Sequence, residues 1–361
     1  MKRWILVACL ILIPALGFLV PAGAQASTAA TTNLTSGQPV KATISKSGQT
    51  IKYTFAATAN QNVTFQVTNF DFTVSGSSGE VQLQFYEPGT SSEYPPYPYC
   101  NLTGDSYCNF TPSETGTWSM DLVPISDAVG SLTLTFANNV ATQALTSGKA
   151  VSTAINFEGQ EGGYTFAASA NKNVTFQVTR FDFTASGSSG EVQLQFYPPG
   201  SSSEYPPYPY CNVTADTYCN FAPAADTGGT WSIKLVPISG AVGSLTLTFA
   251  NNVATQALTS GKAVTTAINI EGQNAGYTFP ATANKNVTFQ VTNFDFIIDG
   301  SSGEVQLQFY EPHSSNEYPA YPYCNLTSSG TCTFKTPVSG TWSITLVPIS
   351  GATGSLTLKL T

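Results

Sequence analysis

Two cysteines, three acidic residues and a tyrosine-rich segment occur in three copies along this chain of 361 residues, and they are the residue types that could do chemistry. Matching positions lie 111 or 113 residues apart, as Cys100, Cys211 and Cys324 do. This period is longer than the roughly 20 to 50 residues of a solenoid repeat and has the length of a domain that folds by itself. Chemistry common to the copies must therefore use residues that are present in all three.

The available residues argue against catalysis. The chain has a single histidine, His313, and the other copies have Gly89 and Gly200 at that position. A nucleophile such as serine needs a base within reach, so a histidine-based triad shared by the copies is excluded. Paired carboxylates could serve a glycosidase, but a sandwich domain of this length has little room for a deep cleft. We therefore predict that the protein is not an enzyme.

The recurring acids are also candidate calcium ligands, because Ca²⁺ binds about six to eight oxygen atoms. The candidates are Asp71, Glu80, Asp182, Glu191, Asp295 and Glu304. In the competing interpretation, the aspartates accept hydrogen bonds from turn amides and the glutamates are solvated. We favour the competing interpretation and predict no cofactor, with calcium as the alternative.

The N-terminus has the pattern of a secretory signal peptide over residues 1–26. A basic start is followed by the apolar run from Trp4 to Val20 and by the small-residue cleavage pattern Ala24-Gln25-Ala26. Its removal leaves 11 basic and 21 acidic residues and no basic cluster. Nucleic acid and an anionic membrane surface are therefore not expected as partners. We predict a secreted, extracellular protein that does not insert into a membrane after cleavage.

Each copy contains a pair of cysteines with seven residues between them. The pairs are Cys100 and Cys108, Cys211 and Cys219, and Cys324 and Cys332. Locally paired cysteines in an exported protein indicate disulfides. Zinc is disfavoured, because two thiolates without a nearby histidine cannot complete a tetrahedral site. Each bridge is expected to fix the shape of the short loop that it closes.

The segment before the first cysteine of each pair is the strongest binding candidate. It reads Glu-Tyr-Pro-Pro-Tyr-Pro-Tyr-Cys in two copies, and an alanine replaces the second proline in the third. Proline stiffens such a segment, and tyrosine offers a flat face and a hydroxyl group. The candidate residues are Tyr94, Tyr97, Tyr99, Tyr205, Tyr208, Tyr210, Tyr318, Tyr321 and Tyr323. Alternatively these tyrosines cover the sandwich edge or pack between copies, and Tyr99, Tyr210 and Tyr323 are the ones most expected to be structural.

The periodicity predicts an all-β fold. Apolar and polar residues alternate in segments such as Val81 to Tyr86, and the copies keep the apolar positions. Trp118, Met120 and Leu122 are expected to face a core, and Asp121 to face water. Short strands between Gly, Ser, Asn and Pro clusters predict three antiparallel, jelly-roll-like β-sandwich domains. Their predicted limits are 34–140, 145–253 and 258–361, after a disordered segment at 27–33; an identical short connection at both boundaries predicts a similar joint.

The motif order in each copy resembles the bacterial pre-peptidase C-terminal domain. The matching features are Ser-Gly-Glu-Val-Gln-Leu, the cysteine pair, Gly-Thr-Trp-Ser and a closing Gly-Ser-Leu-Thr-Leu strand. The resemblance covers nearly all of the chain after residue 33, without an attached peptidase. It implies a β-sandwich on a secreted protein that assists secretion or binds a polymeric substrate. Members that bind calcium use acids, where this chain has glutamates followed by Gln82, Gln193 and Gln306.

Two functions follow from these observations. The first is a non-catalytic, multivalent binding protein that recognises a polysaccharide, a cell wall, another cell-surface component or a fibrous protein through the tyrosine loops. The second is a structural spacer, surface-layer or fibre component built by end-to-end packing, with self-association as a further alternative. A secretion aid for a separate exported enzyme is also compatible with the sequence. Exposed tyrosines would favour binding, whereas tyrosines buried between copies would favour the spacer.

Overall fold

The computed structural model describes residues 31–90, 99–201, 210–314 and 324–361. The predicted signal peptide lies outside these ranges. Within them, no helix is both long enough and apolar enough to cross a membrane. The predicted all-β class is confirmed, because the described chain forms three similar units built of strands, here called units 1, 2 and 3.

The bounds of the strands are as follows. Unit 1 contains β1 (Thr32–Asn33), β2 (Pro39–Ile44), β3 (Ile51–Ala57), β4 (Val63–Val74), β5 (Ser77–Ser78), β6 (Glu80–Tyr86), β7 (Tyr99–Leu102), β8 (Ser106–Phe110), β9 (Gly116–Ile125) and β10 (Val129–Asn138). Unit 2 contains β11 (Gln143–Ala144), β12 (Ala150–Ile155), β13 (Gly162–Ala168), β14 (Val174–Ala185), β15 (Ser188–Ser189), β16 (Glu191–Tyr197), β17 (Tyr210–Val213), β18 (Thr217–Phe221), β19 (Gly229–Ile238) and β20 (Val242–Asn251). Unit 3 contains β21 (Val253–Ala257), β22 (Ala263–Ile268), β23 (Ala275–Ala281), β24 (Asn286–Ile298), β25 (Ser301–Ser302), β26 (Val305–Tyr310), β27 (Cys324–Leu326), β28 (Gly330–Lys335), β29 (Gly340–Pro348), a short 3₁₀ turn (Ile349–Gly351) and β30 (Thr353–Leu360).

Each unit is a sandwich of two sheets. In unit 1, sheet A has the strand order β1-β3-β9-β6-β7, and sheet B has the order β2-β10-β4-β5 with β8 also paired to β4. The pairs are antiparallel, except that β1 runs parallel to β3. Units 2 and 3 repeat both orders, so the names sheet A and sheet B apply to all three units.

One hydrophobic core lies between the two sheets of each unit. Trp118, Met120 and Leu122 face it as predicted, and each is 0% exposed. The indole nitrogen of Trp118 donates a 3.1 Å hydrogen bond to the carbonyl oxygen of Glu114, so the buried polar group has a partner. The same tryptophan and its carbonyl partner recur in the other units.

Asp121 is less exposed than its outward position on β9 predicts. Its Oδ2 atom lies 2.6 Å from Nζ of Lys52 on the neighbouring strand β3, and Asp121 is only 8% exposed. The alternation therefore predicts the side of the sheet correctly, while the ion pair with Lys52 gives the carboxylate a partner there.

Strand pairing begins each unit slightly earlier than the predicted limits. Thr32 and Asn33, expected to be disordered, form β1 and pair with β3. Val253, expected to end unit 2, instead starts β21 and pairs with Ala275 of unit 3. The backbone groups of these edge segments find hydrogen-bond partners on sheet A of the unit that follows, which the side-chain pattern does not indicate.

Candidate binding face

The predicted tyrosine loops lie largely outside the described residues. This holds for Tyr94, Tyr97, Tyr205, Tyr208, Tyr318, Tyr321 and Tyr323. Tyr99 and Tyr210 are described, and they begin the edge strands β7 and β17. Their side chains are 40% and 44% exposed. These two tyrosines, expected to be the most structural of their loops, are thus among the exposed large hydrophobic residues of the described chain.

A series of hydrogen-bonded side chains runs across the outer face of sheet A beside Tyr99. The Tyr86 hydroxyl donates to Oε1 of Gln84 at 3.2 Å, and Nε2 of Gln84 donates to Oε1 of Gln82 at 2.5 Å. Nε2 of Gln82 then donates to Oδ1 of Asn101 at 2.9 Å. We call this series the amide ladder of unit 1.

The same ladder recurs with the same donors and acceptors in the other units. In unit 2 the three bonds measure 2.9, 2.6 and 3.1 Å, and in unit 3 they measure 3.1, 2.8 and 3.1 Å. The residues are Tyr197, Gln195, Gln193 and Asn212 in unit 2, and Tyr310, Gln308, Gln306 and Asn325 in unit 3. Because each amide is held by its neighbour, the ladder keeps its polar groups in one orientation.

The register of the strands places the ladder and the loop together. Side chains two apart on β6 share a face, and Gln84 pairs with Tyr99 across to β7. β6 ends at Tyr86 and β7 begins at Tyr99, so the described strands on either side of the predicted loop both carry or adjoin the ladder. The apolar residues between the ladder positions, such as Leu83, point into the core and anchor the strand.

A basic side chain flanks the ladder in two of the units, although from different strands. Lys52 of β3 lies 5.9 Å from the centre of the Tyr86 ring, and Lys234 of β19 lies 5.3 Å from that of Tyr197. Unit 3 has Thr345 at the position of Lys234. A cation near a tyrosine face gives a modest attraction, which helps to hold the ring in place.

The three predicted disulfides are confirmed, and each one joins the two sheets of its unit. Cys100 lies on β7 of sheet A and Cys108 lies on β8 of sheet B, with 6.0 Å between their Cα atoms. The corresponding distances are 6.1 Å in unit 2 and 5.9 Å in unit 3. The bridge therefore fixes the edge strand on which the loop ends.

The candidate calcium ligands do not come together as a cluster. Within the four described ranges, no group of three or more His, Cys, Asp or Glu side chains is close enough to hold a metal ion. Asp71 lies on β4 next to a bulge, and Glu80 begins β6 on sheet A. The bulge amide of Phe70 is satisfied by a different acid, Asp105, whose Oδ1 accepts its hydrogen bond at 2.8 Å. Calcium binding stays the alternative to the prediction of no cofactor, and calcium addition can test it.

Polar grooves lie at the two joints between units. They have volumes of about 360 Å³ and 800 Å³, and about half of their lining residues carry amide or hydroxyl side chains. Asn139 and its counterpart Asn252 accept hydrogen bonds from backbone amides of the next unit at 3.0 and 3.1 Å. These amide groups hold the connection between units, so we assign the grooves a structural role.

The amide ladder does not follow from the sequence motifs described above. In those motifs Gln82 and its counterparts stand only as replacements for acidic ligands, although Gln-Leu-Gln-Phe-Tyr is identical in all copies. Core packing requires the Leu and Phe of this string, but not the two glutamines and the tyrosine on the outer face. The identity of these outward residues in all three copies is the sequence signal that indicates a shared role for them.

No family model matches the chain, and no curated protein matches it. Solved structures with partial similarity include the pre-peptidase C-terminal domain of collagenase from Bacillus anthracis, at 16% identity, 30% coverage of this chain, 96% of that chain and a TM-score of 0.23. PliG of Aeromonas hydrophila, a periplasmic inhibitor of g-type lysozyme, has 14% identity, coverages of 30% and 98%, and a TM-score of 0.23. The triple jelly roll fold and turret assembly of an archaeal virus has 10% identity, covers 90% of both chains and has a TM-score of 0.18. At these values, membership of the pre-peptidase C-terminal family stays a prediction.

Proposed function

We propose that this chain is a secreted, non-catalytic protein that binds an extracellular polymer through three equivalent faces. Each face consists of the amide ladder on sheet A and the tyrosine-rich segment that follows in the chain between the two strands of the ladder. The observation that carries the proposal is the recurrence of the ladder, with the same hydrogen bonds, in all three units.

The chemistry of the face favours a polysaccharide. Amide groups both donate and accept hydrogen bonds, as sugar hydroxyls do, and tyrosine rings pack against the apolar faces of sugar rings. The face lies on the outside of a sheet, whereas sites for small molecules are usually concave and enclosed. An extended chain that lies across the sheet can reach both the ladder and the exposed side chain of Tyr99 or Tyr210.

Three weak sites in one chain also suit a repetitive target. Once one face is bound, the others are held at a high local concentration of ligand, so the whole chain binds more tightly than one face does. A polysaccharide, a cell wall or a fibrous protein offers such repeats. The tyrosine and amide composition favours the first two.

Retention on insoluble polymers tests this function. The mature protein is mixed with a panel of polysaccharides, isolated cell walls and fibrillar collagen, and the bound fraction is measured after washing. A loop variant changes the candidate tyrosines at six positions to Ala: Tyr94, Tyr97, Tyr205, Tyr208, Tyr318 and Tyr321. A ladder variant changes Gln84, Gln195 and Gln308 to Ala. Both are expected to lower retention on a polymer that holds the wild type by about tenfold or more, because each affects all three faces.

A matched control changes three outward threonines of sheet B to Ala, namely Thr68, Thr179 and Thr292. This variant should be retained like the wild type, since its changes lie on the other sheet. The proposal fails if the wild type washes off every polymer, or if the control loses as much retention as the ladder variant.

A further inference from the structure

The two joints of the chain share one contact, in which a tyrosine of one unit lies against two glycines of the next. Tyr107, on β8 of unit 1, packs against Gly159 and Gly240 of unit 2. A Cβ atom added to Gly159 would lie 2.3 Å from the tyrosine ring, and one added to Gly240 would lie 3.2 Å from it. The close approach of the ring therefore requires glycine at Gly159 and favours it at Gly240.

Tyr218 repeats this contact between units 2 and 3. Cβ atoms added to Gly272 and Gly351 would lie 2.2 and 3.0 Å from its ring. Beside it, Oγ1 of Thr175 donates a 3.0 Å hydrogen bond to the carbonyl oxygen of Gly272, and Thr175 is fully buried. The joints are thus built from specific contacts and are not held by the connecting segment alone.

The end of unit 1 that lies away from unit 2, here called its outer face, lacks the features that receive a tyrosine. Gly48 matches Gly159 in sequence, but it is exposed, and no described atom lies within 4 Å of an added Cβ. The position of Gly240 is taken by Asp127, an exposed residue whose carboxylate accepts a hydrogen bond from the hydroxyl of Ser47.

An apolar residue at the joint is also replaced by a charged one in unit 1. Phe157 of unit 2 lies at the joint, with its ring 3.7 Å from a Cβ added to Gly37 of unit 1. Ile270 takes this position in unit 3 and is 8% exposed. Unit 1 has Lys46 there, and it is exposed. Burying its ammonium group against another unit without a partner would be unfavourable.

The end of unit 3 that lies away from unit 2, here called its outer face, differs from the joints at the position of the tyrosine. Thr331, an exposed residue, takes the position of Tyr107 and Tyr218. The neighbouring threonine Thr288 is partly exposed, whereas its counterpart Thr64 in unit 1 is fully buried at a joint. Unit 3 therefore lacks the side chain that the glycine pair of another unit would receive.

We propose that the tyrosine–glycine contact is a directional docking surface between units, and that Lys46 and Asp127 at one end and Thr331 at the other cap it. Without these caps, the docking surface at one end of a chain could bind the complementary surface of the next chain, and identical chains would form an open filament. Terminal units of repeat arrays commonly carry such polar caps. A second copy of this chain is therefore excluded from both outer faces. This inference is independent of the proposed polymer binding, and it argues against the end-to-end fibre considered from the sequence.

Hydrogen exchange measured by NMR tests the joint in the intact chain. The amide of Gln160 donates to the carbonyl of Phe157 at 3.1 Å, and the amide of Gln49 donates to that of Lys46 at 3.2 Å. The two turns have the same internal bond, but only the first is covered by a preceding unit. After correction for intrinsic rates, Gln160 should exchange about tenfold more slowly than Gln49. Equal rates would overturn the proposal.

A double variant then transfers the capping residues into the first joint. Tyr107→Thr and Gly240→Asp introduce residues that units 3 and 1 already accept at these positions, so folding is expected to be retained. The exchange rate of Gln160 should rise to that of Gln49, while Gln273, behind the unchanged second joint, stays slow. The control Ser186→Asp adds the same charge away from the joints, where unit 3 has Asp299, and should change neither rate.

The reverse transfer tests the caps. A variant with Lys46→Phe, Asp127→Gly and Thr331→Tyr should associate head to tail as its concentration approaches about 1 mM, the effective concentration that a short connection provides. Sedimentation velocity should show the wild type as a single species over this range. Association of the wild type to the same extent, or a variant that associates no more than the wild type, would refute the caps.

Discussion

The hydroxyl of Tyr164 donates a 2.7 Å hydrogen bond to Oγ1 of Thr153, and both side chains are buried inside unit 2. Tyr277 and Thr266 repeat the pair in unit 3 at the same distance. In unit 1 the tyrosine is Tyr53, but Ala42 replaces the threonine. Burial raises the pKa of each of these tyrosines from 10.0 to about 12.

Alkaline conditions should therefore destabilise the units through these tyrosines. The pKa of each tyrosine is higher in the folded state than in the unfolded state. The free energy of unfolding therefore keeps its full value below pH 10 and decreases as the pH rises towards 12. For Tyr164 the raised pKa corresponds to a loss of roughly 3 kcal/mol in the free energy of unfolding once the residue is ionised in both states. Thermal unfolding between pH 8 and pH 11.5 should show a Tm that is flat at first and then falls, while absorbance at 295 nm reports late tyrosine ionisation.

The variants Tyr164→Phe and Tyr53→Phe serve as a matched pair for this prediction. Each removes one ionisable group and should lessen the alkaline fall in Tm. At pH 7, Tyr164→Phe should cost about 1 kcal/mol, because Thr153 loses its hydrogen-bond donor. Tyr53→Phe should cost less, because Ala42 offers no such partner. An unchanged alkaline fall in both variants would contradict the assignment to these residues.

A glycine in the closing strand of each unit should be indispensable for folding. An added Cβ on Gly243 would lie 1.9 Å from the carbonyl oxygen of Asp182, a backbone atom that cannot move aside. Gly243→Ala should therefore destabilise unit 2 by about 3 kcal/mol or more. The control is Gly187→Ala, which also has a positive φ but open space around it, and which should cost only about 1 kcal/mol. Urea unfolding followed by tryptophan fluorescence measures both, and equal losses would contradict the steric explanation.

Added calcium should leave the unfolding temperature unchanged. Asp71 and Glu80 lie on different sheets, and no cluster of three acids occurs among the described residues. A ligand that binds only the folded state raises its stability. Differential scanning calorimetry with 5 mM Ca²⁺, against a chelator, therefore gives a direct test, with Mg²⁺ as the control for ionic strength. A calcium-specific rise in Tm would contradict this prediction and support a calcium site.

Local patterns in the sequence predicted the sandwich and its core correctly. The inward positions Trp118, Met120 and Leu122 follow from alternation alone, because neighbouring side chains of a strand point to opposite faces. The disulfide pairs follow from the spacing of the cysteines and from the predicted export of the chain. The candidate site was predicted only in part, since the tyrosines could be recognised by composition, but the partners of Gln82 on another strand could not.

The sequence by itself determined the three units, their all-β class and their cysteine pairing, because these depend on periodicity and on residues close together in the chain. Only the tertiary structure decided which outward residues act together. Gln82 meets Asn101 across two strands, and Tyr107 meets Gly159 and Gly240 of the next unit. Contacts of this kind depend on strand register and on the packing of whole units, and a one-residue slip in register would exchange the faces of the sheet.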